Sequence, residues 1–167
     1  MRGYERGGIM AIYIIAAALI IALDQITKVL TTTFFRLGEV KNIIPHVLSF
    51  TYIRNEGAAF GILQGARVFF MIITVLVFVF AIFYIVKMRP RALLEKWALC
   101  FITGGAVGNF IDRAVFGYVR DFILLEFIDF PVFNIADCFV CIGAGLYILY
   151  AFLDTSAKKE ESHSNDE

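Results

Sequence analysis

Histidine and cysteine are scarce in this chain of 167 residues, and their scarcity excludes several kinds of active site. The two histidines, His46 and His163, provide neither a His-Glu-x-x-His zinc motif nor the elements of a serine triad. All three cysteines lie inside apolar blocks, so a disulfide framework is not expected. Cys138-x-x-Cys141 leaves a redox or metal role open. Because the sequence has no second Cys-x-x-Cys pair, we expect these cysteines simply to pack in the helix bundle.

The chain also lacks net charge, with fifteen basic and fifteen acidic residues. Residues 154–167 hold five acids and two lysines, which leaves a small positive excess on the remainder. This asymmetry is too small to indicate nucleic-acid binding. We predict that residues 154–167 form a polar, disordered cytoplasmic tail behind a single membrane domain of residues 1–153.

Apolar sequence is abundant: 60% of the residues are hydrophobic and the mean hydropathy is +0.78. A soluble domain is only about half apolar, so the composition indicates an integral membrane protein. Residues 68–86 carry no charge and as a helix would cover about 28 Å, close to the thickness of a hydrocarbon core. The predicted fold is an all-α polytopic membrane protein with four spans, at about residues 9–30, 68–86, 97–115 and 132–153.

The short loop between the second and third spans predicts the orientation. Against the single Glu95 it carries four basic residues, which marks it as cytoplasmic: Lys87, Arg89, Arg91 and Lys96. Both termini are then cytoplasmic, and residues 31–66 and 116–130 face outward. A signal peptide resembles the first span, but no small-residue cleavage site follows its apolar run, so we expect the span to be retained. Whether residues 1–8 are native stays open.

Residues 31–66 are predicted to form a small β-structured cap outside the membrane. Period-two alternation at 40–44 and 47–53 favours two short strands around Pro45. Gly57 and Gly61 fit a tight turn that leads the chain back into the membrane.

Four aspartates are candidates for chemistry, because an ionisable residue in or beside a span costs free energy unless it faces water or the bundle interior. Two carboxylates that lie close together share a proton, so that one is a base and the other an acid. Asp121, in the second outer segment, and Asp137, near the start of the fourth span, have enough chain between them to meet. They therefore suit an aspartic peptidase.

Each aspartate also has a structural interpretation. Asp24 lies one turn before Lys28 and fits an intrahelical ion pair. Asp112 fits a pair with a nearby arginine or a helix cap, and Asp121 fits a solvated loop acid. A purely structural role is least convincing for Asp137. Asn134 is the better candidate for the N-cap, which places Asp137 at position N3 of the helix. The glycines of the third span, with small residues four apart, favour close helix packing that would bring Asn109 near the fourth span: Gly104, Gly105 and Gly108.

Five blocks of sequence, in order along the chain, resemble the lipoprotein signal peptidases (signal peptidase II). These bacterial membrane aspartic peptidases remove the signal peptide of prolipoproteins whose lipobox cysteine carries a diacylglyceryl group. The matching blocks are Asp24-Gln25-x-Thr27-Lys28, Arg54-Asn55-x-Gly57-Ala58-Ala59-Phe60-Gly61, Gly104-Gly105-Ala106-x-Gly108-Asn109-x-x-Asp112-Arg113, Val119-x-Asp121-Phe122-Ile123 and Phe133-Asn134-Ile135-Ala136-Asp137.

The resemblance implies that Asp121 and Asp137 are the catalytic pair, with no metal or other cofactor. Further residues are implied to shape and support the site: Asp24, Asn55, Gly57, Asn109, Asp112, Arg113, Asn134 and Ala136. The implied partners are the diacylglyceryl prolipoprotein, cleaved before its lipidated cysteine at the outer face of the cytoplasmic membrane, and membrane lipids; we expect a monomer. Two positions depart from the family pattern, Arg120 and Cys138, and both adjoin a catalytic aspartate.

Two other classes of protein stay open. A small proton-coupled transporter also uses intramembrane carboxylates, but it requires them near the midplane of the bilayer and on a path to both sides. A non-catalytic assembly subunit is also possible, but it gives the clustered aspartates no function.

Overall fold

The computed structural model describes residues 2–57, 67–88, 90 and 92–165. Within them the chain forms four long helices and one small sheet. In chain order the elements are α1 Arg2–Phe34, β1 Val40–Ile44, β2 Leu48–Asn55, α2 Arg67–Met88, α3 Leu93–Val115, β3 Val119–Leu125 and α4 Ile135–Asn165.

Three helices of the described chain are long and apolar enough to cross a membrane: Ala11–Phe34, Val68–Met88 and Ile135–Thr155. Their outward side chains are large and apolar, as lipid requires. The chain is therefore a multi-pass membrane protein. The predicted third span corresponds to α3, which carries Asn109, Asp112 and Arg113 and is not among these three helices, so a fourth span stays a prediction.

Helix α3 packs along α4 and also contacts α1 and α2. The contacts are close where α3 has glycine. A Cβ atom added to Gly105 would lie 2.8 Å from a methyl group of Val140, and one added to Gly108 would lie 2.5 Å from the Asp24 carboxylate. Both distances are shorter than van der Waals contact allows, so the glycines let the helices approach as the sequence predicted.

The sheet is antiparallel with the order β1-β2-β3 and contacts α1 and α3. Strand β1 has the predicted bounds, and β2 covers most of the predicted second strand and continues to Asn55. The third strand is a correction, because residues 119–125 were predicted as outer loop. Pairing places Ile53 opposite Asp121 and Asn55 opposite Val119.

Two further predictions compare differently with the structure. Helix α4 continues to Asn165, through residues predicted to form a disordered tail. Gly57 is a buried bend two residues after the end of β2, whereas the predicted turn at Gly61 lies outside the described residues.

Candidate active site

Asn134 and Asp137 form the first turn of α4 through a reciprocal pair of hydrogen bonds. The Asn134 Oδ1 atom accepts the backbone N–H of Asp137 at 3.1 Å, and Asp137 Oδ2 accepts the backbone N–H of Asn134 at 3.1 Å. Two N–H groups that a helix start leaves without partners are thereby satisfied. The predicted roles of Asn134 as N-cap and Asp137 as N3 are confirmed.

Asp121 lies in β3 and is only 2% exposed, so its interpretation as a solvated loop acid is wrong. Its two carboxylate oxygens each accept an amide hydrogen bond. Asn55 Nδ2 donates to Oδ2 at 2.8 Å from the neighbouring strand, and Asn134 Nδ2 donates to Oδ1 at 2.6 Å from the start of α4. The pairing of β2 with β3 therefore carries Asp121 to the mouth of the helix bundle.

Asn134 joins the two acids, because its side-chain amide binds Asp121 while its backbone N–H binds Asp137. Burial, and to a smaller extent the negative charge of Asp137, raise the pKa of Asp121 from 3.8 to about 7. The hydrogen bonds from Asn55 and Asn134 oppose this rise. At neutral pH a large fraction of Asp121 is therefore protonated beside a second carboxyl group, which is the condition for acid and base catalysis by one pair.

Asn109, from α3, is the second asparagine between helices at the site. Its Nδ2 atom donates to Asp137 Oδ1 at 2.7 Å. Its Oδ1 atom accepts from Asn134 Nδ2 at 3.1 Å and from the ammonium group of Lys28 at 2.9 Å. Asn109 thus connects Asp121 and Asp137, which we call the acid pair, with a charged cluster deeper in the bundle.

The charged cluster consists of two acids and two cations, all buried: Asp24, Lys28, Asp112 and Arg120. Lys28 lies 2.9 Å from Asp24, which confirms the predicted intrahelical ion pair. Asp112 pairs with an arginine as predicted, and the partner is Arg120, which binds both carboxylate oxygens at 2.7 and 3.0 Å. Buried charges are tolerated when they are paired and hydrogen-bonded, and this cluster is neutral as a whole.

Three predicted residues hold the surrounding backbone. The N–H of Ala136 donates to Asp24 at 3.0 Å, which ties the start of α4 to α1. The Arg113 guanidinium donates to the carbonyl oxygen of Gly57 at 3.1 Å and lies 4.7 Å above the ring of Phe70. Gly57 in turn donates its N–H to Asn55 at 3.0 Å. All ten predicted site residues therefore gather in one region, and only the asparagines among the supporting eight bind the acid pair directly.

Lys28, Gln25 and Arg120 were missed as site residues. Gln25 donates to Asp112 and to the carbonyl oxygen of Gly108, and it accepts from Arg120. A signal for two of them exists in the sequence, since Gln25 and Lys28 continue a polar stripe that begins at Asp24 in an otherwise apolar helix. The signal for Arg120 is weaker. If residues 120 and 121 lie on a strand, their side chains point to opposite faces, so Arg120 faces away from Asp121 and towards the helices.

In the described part of the chain, no three histidine, cysteine, aspartate or glutamate side chains are grouped so that they could share a metal ion. Cys138 and Cys141 are free thiols, the first partly buried next to Asp137 and the second exposed on α4.

Comparison with known proteins connects this geometry to a family. Residues 16–153 match the family model described as signal peptidase (SPase) II. A lipoprotein signal peptidase of Enterococcus faecalis is 41% identical over 152 residues, which cover 91% of this chain and 94% of the relative. One from Brevibacillus brevis is 48% identical over 142 residues, with 85% and 95% covered.

Two solved structures share the fold. Both are described as bacterial membrane enzymes determined by the in meso method. The first, at 2.3 Å resolution, has a TM-score of 0.85 and 40% identity and covers 90% of this chain and 93% of that chain. The second, at 1.9 Å, has a TM-score of 0.78 and 38% identity, with 84% and 92% covered. This chain is thus a membrane enzyme that belongs to the signal peptidase II family of aspartic peptidases.

Proposed function

We propose that this enzyme removes the signal peptide from diacylglyceryl-modified prolipoproteins, with Asp121 and Asp137 as its catalytic pair. The bond cut is the one immediately before the lipidated cysteine. The observation that carries the proposal is a buried carboxyl group with a pKa of about 7 that shares Asn134 with a second carboxyl group. The names of the relatives support the substrate.

The acid pair works without a cofactor in this scheme. Asp121 holds the shared proton because its pKa is raised, and the more exposed Asp137 accepts a proton from a water molecule. The water oxygen bonds to the scissile carbonyl carbon while Asp121 gives its proton to the carbonyl oxygen. The tetrahedral intermediate then returns that proton to Asp121, Asp137 protonates the leaving nitrogen, and the carbon–nitrogen bond breaks.

The asparagines keep the two carboxyl groups in place during these steps. Asn55 and Asn134 bind the two oxygens of Asp121, while Asn109 and the Asn134 backbone bind those of Asp137. Neither acid can rotate without losing hydrogen bonds. Such fixed geometry lowers the reorganisation that the reaction requires.

In the proposed topology α3 is the third of four spans, between α2 and α4, and both termini are cytoplasmic. The basic residues between α2 and α3 favour this orientation through the positive-inside rule. The acid pair lies at the opposite end of the bundle, where α1 and α3 end and α4 begins. The sheet is then an outer cap, and the scissile bond is cut at the outer face of the membrane, where a signal-peptide helix and its acyl chains can remain in lipid. A reporter fused near Arg91 that proved to be outside would overturn this orientation.

The test uses the purified full chain in detergent micelles with a diacylglyceryl-modified prolipoprotein. Asp121→Asn and Asp137→Asn should each lower turnover by about 100-fold or more, because each removes one half of the proton transfer. Asp129→Asn is the matched control, since Asp129 is an exposed acid in the same outer segment. The mass of the product should place cysteine at its new N-terminus.

Near-normal turnover by either variant would rule out the pair, and a different N-terminus would rule out the proposed bond. Hydrolysis by the isolated wild-type protein also separates a peptidase from a transporter or an assembly subunit.

A further inference from the structure

Lys28 makes contacts that go beyond its ion pair with Asp24. We propose that Lys28 is a positioning residue for the acid pair: its ammonium group holds the Asn109 side chain in the orientation that donates to Asp137. This inference rests on the proposed function, because it assigns Asp137 a part in hydrolysis.

The surroundings of Lys28 match the donors of its ammonium group. The side chain is fully buried, and its nitrogen has three N–H donors and no acceptor. Three side-chain oxygens surround it, from Asp24 at 2.9 Å, Asn109 at 2.9 Å and Asp112 at 3.6 Å. The carboxylates of Asp24 and Asp112 balance the positive charge of Lys28. The contact with Asn109 has a different consequence, because Asn109 also binds Asp137.

The chemistry of an amide side chain turns that contact into an orientation. An asparagine presents an acceptor at one end and donors at the other, and an ammonium group can only donate. Lys28 therefore requires the oxygen of Asn109 to face it, which leaves the NH2 group facing Asp137 Oδ1 at 2.7 Å. The reversed amide would set its NH2 group against Lys28 and its oxygen against a carboxylate.

Asn134 assists this orientation but is itself part of the acid pair's hydrogen bonds. Its NH2 group donates both to Asn109 Oδ1 and to Asp121 Oδ1. In the part of the chain that the structure describes, Asn109 Oδ1 would keep only this shared donor if Lys28 were lost. Of its two described partners, Lys28 is the one that lies outside the acid pair's own hydrogen bonds, and it is anchored in α1.

Lys28 also acts on Asp121 through its charge. Among the residues that the structure describes, three helices contribute a charged group that acts on Asp121: Lys28 from α1, Arg113 from α3 and Asp137 from α4. The positive charge of Lys28 lowers the pKa of Asp121 and so opposes burial and Asp137. Loss of Lys28 should raise the pKa of Asp121 further, which a merely structural role would not do.

The experiment compares Lys28→Met with the double variant Asp24→Asn/Lys28→Met in the purified full chain. Methionine keeps most of the side-chain length but cannot donate. The double variant removes one acid together with the cation, so the buried cluster stays neutral and the fold is retained. We expect kcat for the diacylglyceryl prolipoprotein to fall about 10- to 100-fold in both, with KM unchanged. In Lys28→Met the alkaline limb of the pH–rate profile should also move to higher pH.

Lys41→Met is the matched control, because Lys41 is an exposed lysine on β1. Thermal unfolding of each variant shows that the fold is retained. A double variant that folds and keeps wild-type kcat would overturn the proposal, as would a change confined to KM or an alkaline limb that does not move in Lys28→Met. Asp121→Asn is measured alongside: if it stays active the proposed function has failed, and if it is inactive while the double variant is active only the role of Lys28 has failed.

Discussion

Replacing Asp121 with asparagine should change how the stability of the protein depends on pH. Burial and the charge of Asp137 raise the pKa of Asp121 from 3.8 to about 7. The native carboxyl group therefore binds its proton more tightly than the unfolded one. Its contribution to stability is complete below pH 4 and is lost as the pH rises from about 4 to about 7.

The size of this loss follows from the pKa difference. Each pKa unit corresponds to about 1.4 kcal/mol, so the wild type should lose about 4 kcal/mol through Asp121 across this range. Asparagine does not titrate. It does present an NH2 group where Asp121 accepts from Asn55 or Asn134, and one lost hydrogen bond costs about 1–3 kcal/mol at every pH. The pH-dependent part of the difference between the two proteins thus isolates the titration of Asp121.

The assay is equilibrium or thermal unfolding of both proteins in detergent micelles at several pH values between 4 and 8. Relative to the wild type, Asp121→Asn should gain about 4 kcal/mol between pH 4 and pH 8, or about 10 °C in the unfolding midpoint. Asp137→Asn is the informative companion: it removes the smaller cause of the shift and leaves burial, so most of the pH dependence should persist. A difference between Asp121→Asn and wild type that is equal at pH 4, 6 and 8 would refute a raised pKa at this position.

Three further predictions follow from the same contacts. The kcat/KM of the wild type should fall as the pH rises above about 7, because Asp121 then loses the proton it donates; a rate that stays constant up to pH 9 would contradict this assignment. Arg120→Leu should destabilise the protein by about 3–5 kcal/mol, because the buried Asp112 carboxylate loses its arginine partner. Asp112→Asn/Arg120→Leu should recover part of that loss in an unfolding assay, and no recovery would argue against the ion pair. Gly108→Ala should cost about 1–3 kcal/mol because its Cβ meets a buried carboxylate, whereas Gly145→Ala, which meets nothing within 4 Å, should be neutral or slightly stabilising; equal effects would contradict the close packing of α3.

The features that could be predicted from the sequence depend on local spacing. Asp24 and Lys28 lie four residues apart on a helix, so their contact follows from helix geometry alone. The capping pair of Asn134 and Asp137 is likewise local, because both residues belong to one helical turn. The apolar helices are predictable for a similar reason, since each apolar run is by itself long enough to span the hydrocarbon core of the bilayer.

Contacts between distant segments were harder to predict. Strand β3 exists because Val119–Leu125 pairs with β2, and its polar residues Arg120 and Asp121 interrupt the apolar pattern that indicates a strand. Both are buried because their partners come from other elements. Arg120 meets Asp112 from α3, and Asp121 meets Asn55 from β2, 66 positions away in the chain. Arg120 and Asp112 are only 8 positions apart, but they lie on a strand and a helix, and no spacing rule relates residues on different elements. The third strand and the partner of Asp112 therefore could not be predicted without the fold.

The neutrality of the buried cluster explains how the acid pair can keep a shared proton although Lys28 lies close by. The positive charge of Lys28 lowers the pKa of Asp121 and would do so more strongly if Lys28 had no acid beside it. The charges of Lys28 and Arg120 are instead balanced by Asp24 and Asp112, at distances of 2.9 and 2.7 Å. Little net charge from the cluster then reaches Asp121, and burial remains the largest influence on its pKa. The cluster can therefore fix the asparagines around the acid pair while leaving Asp121 the proton that hydrolysis requires.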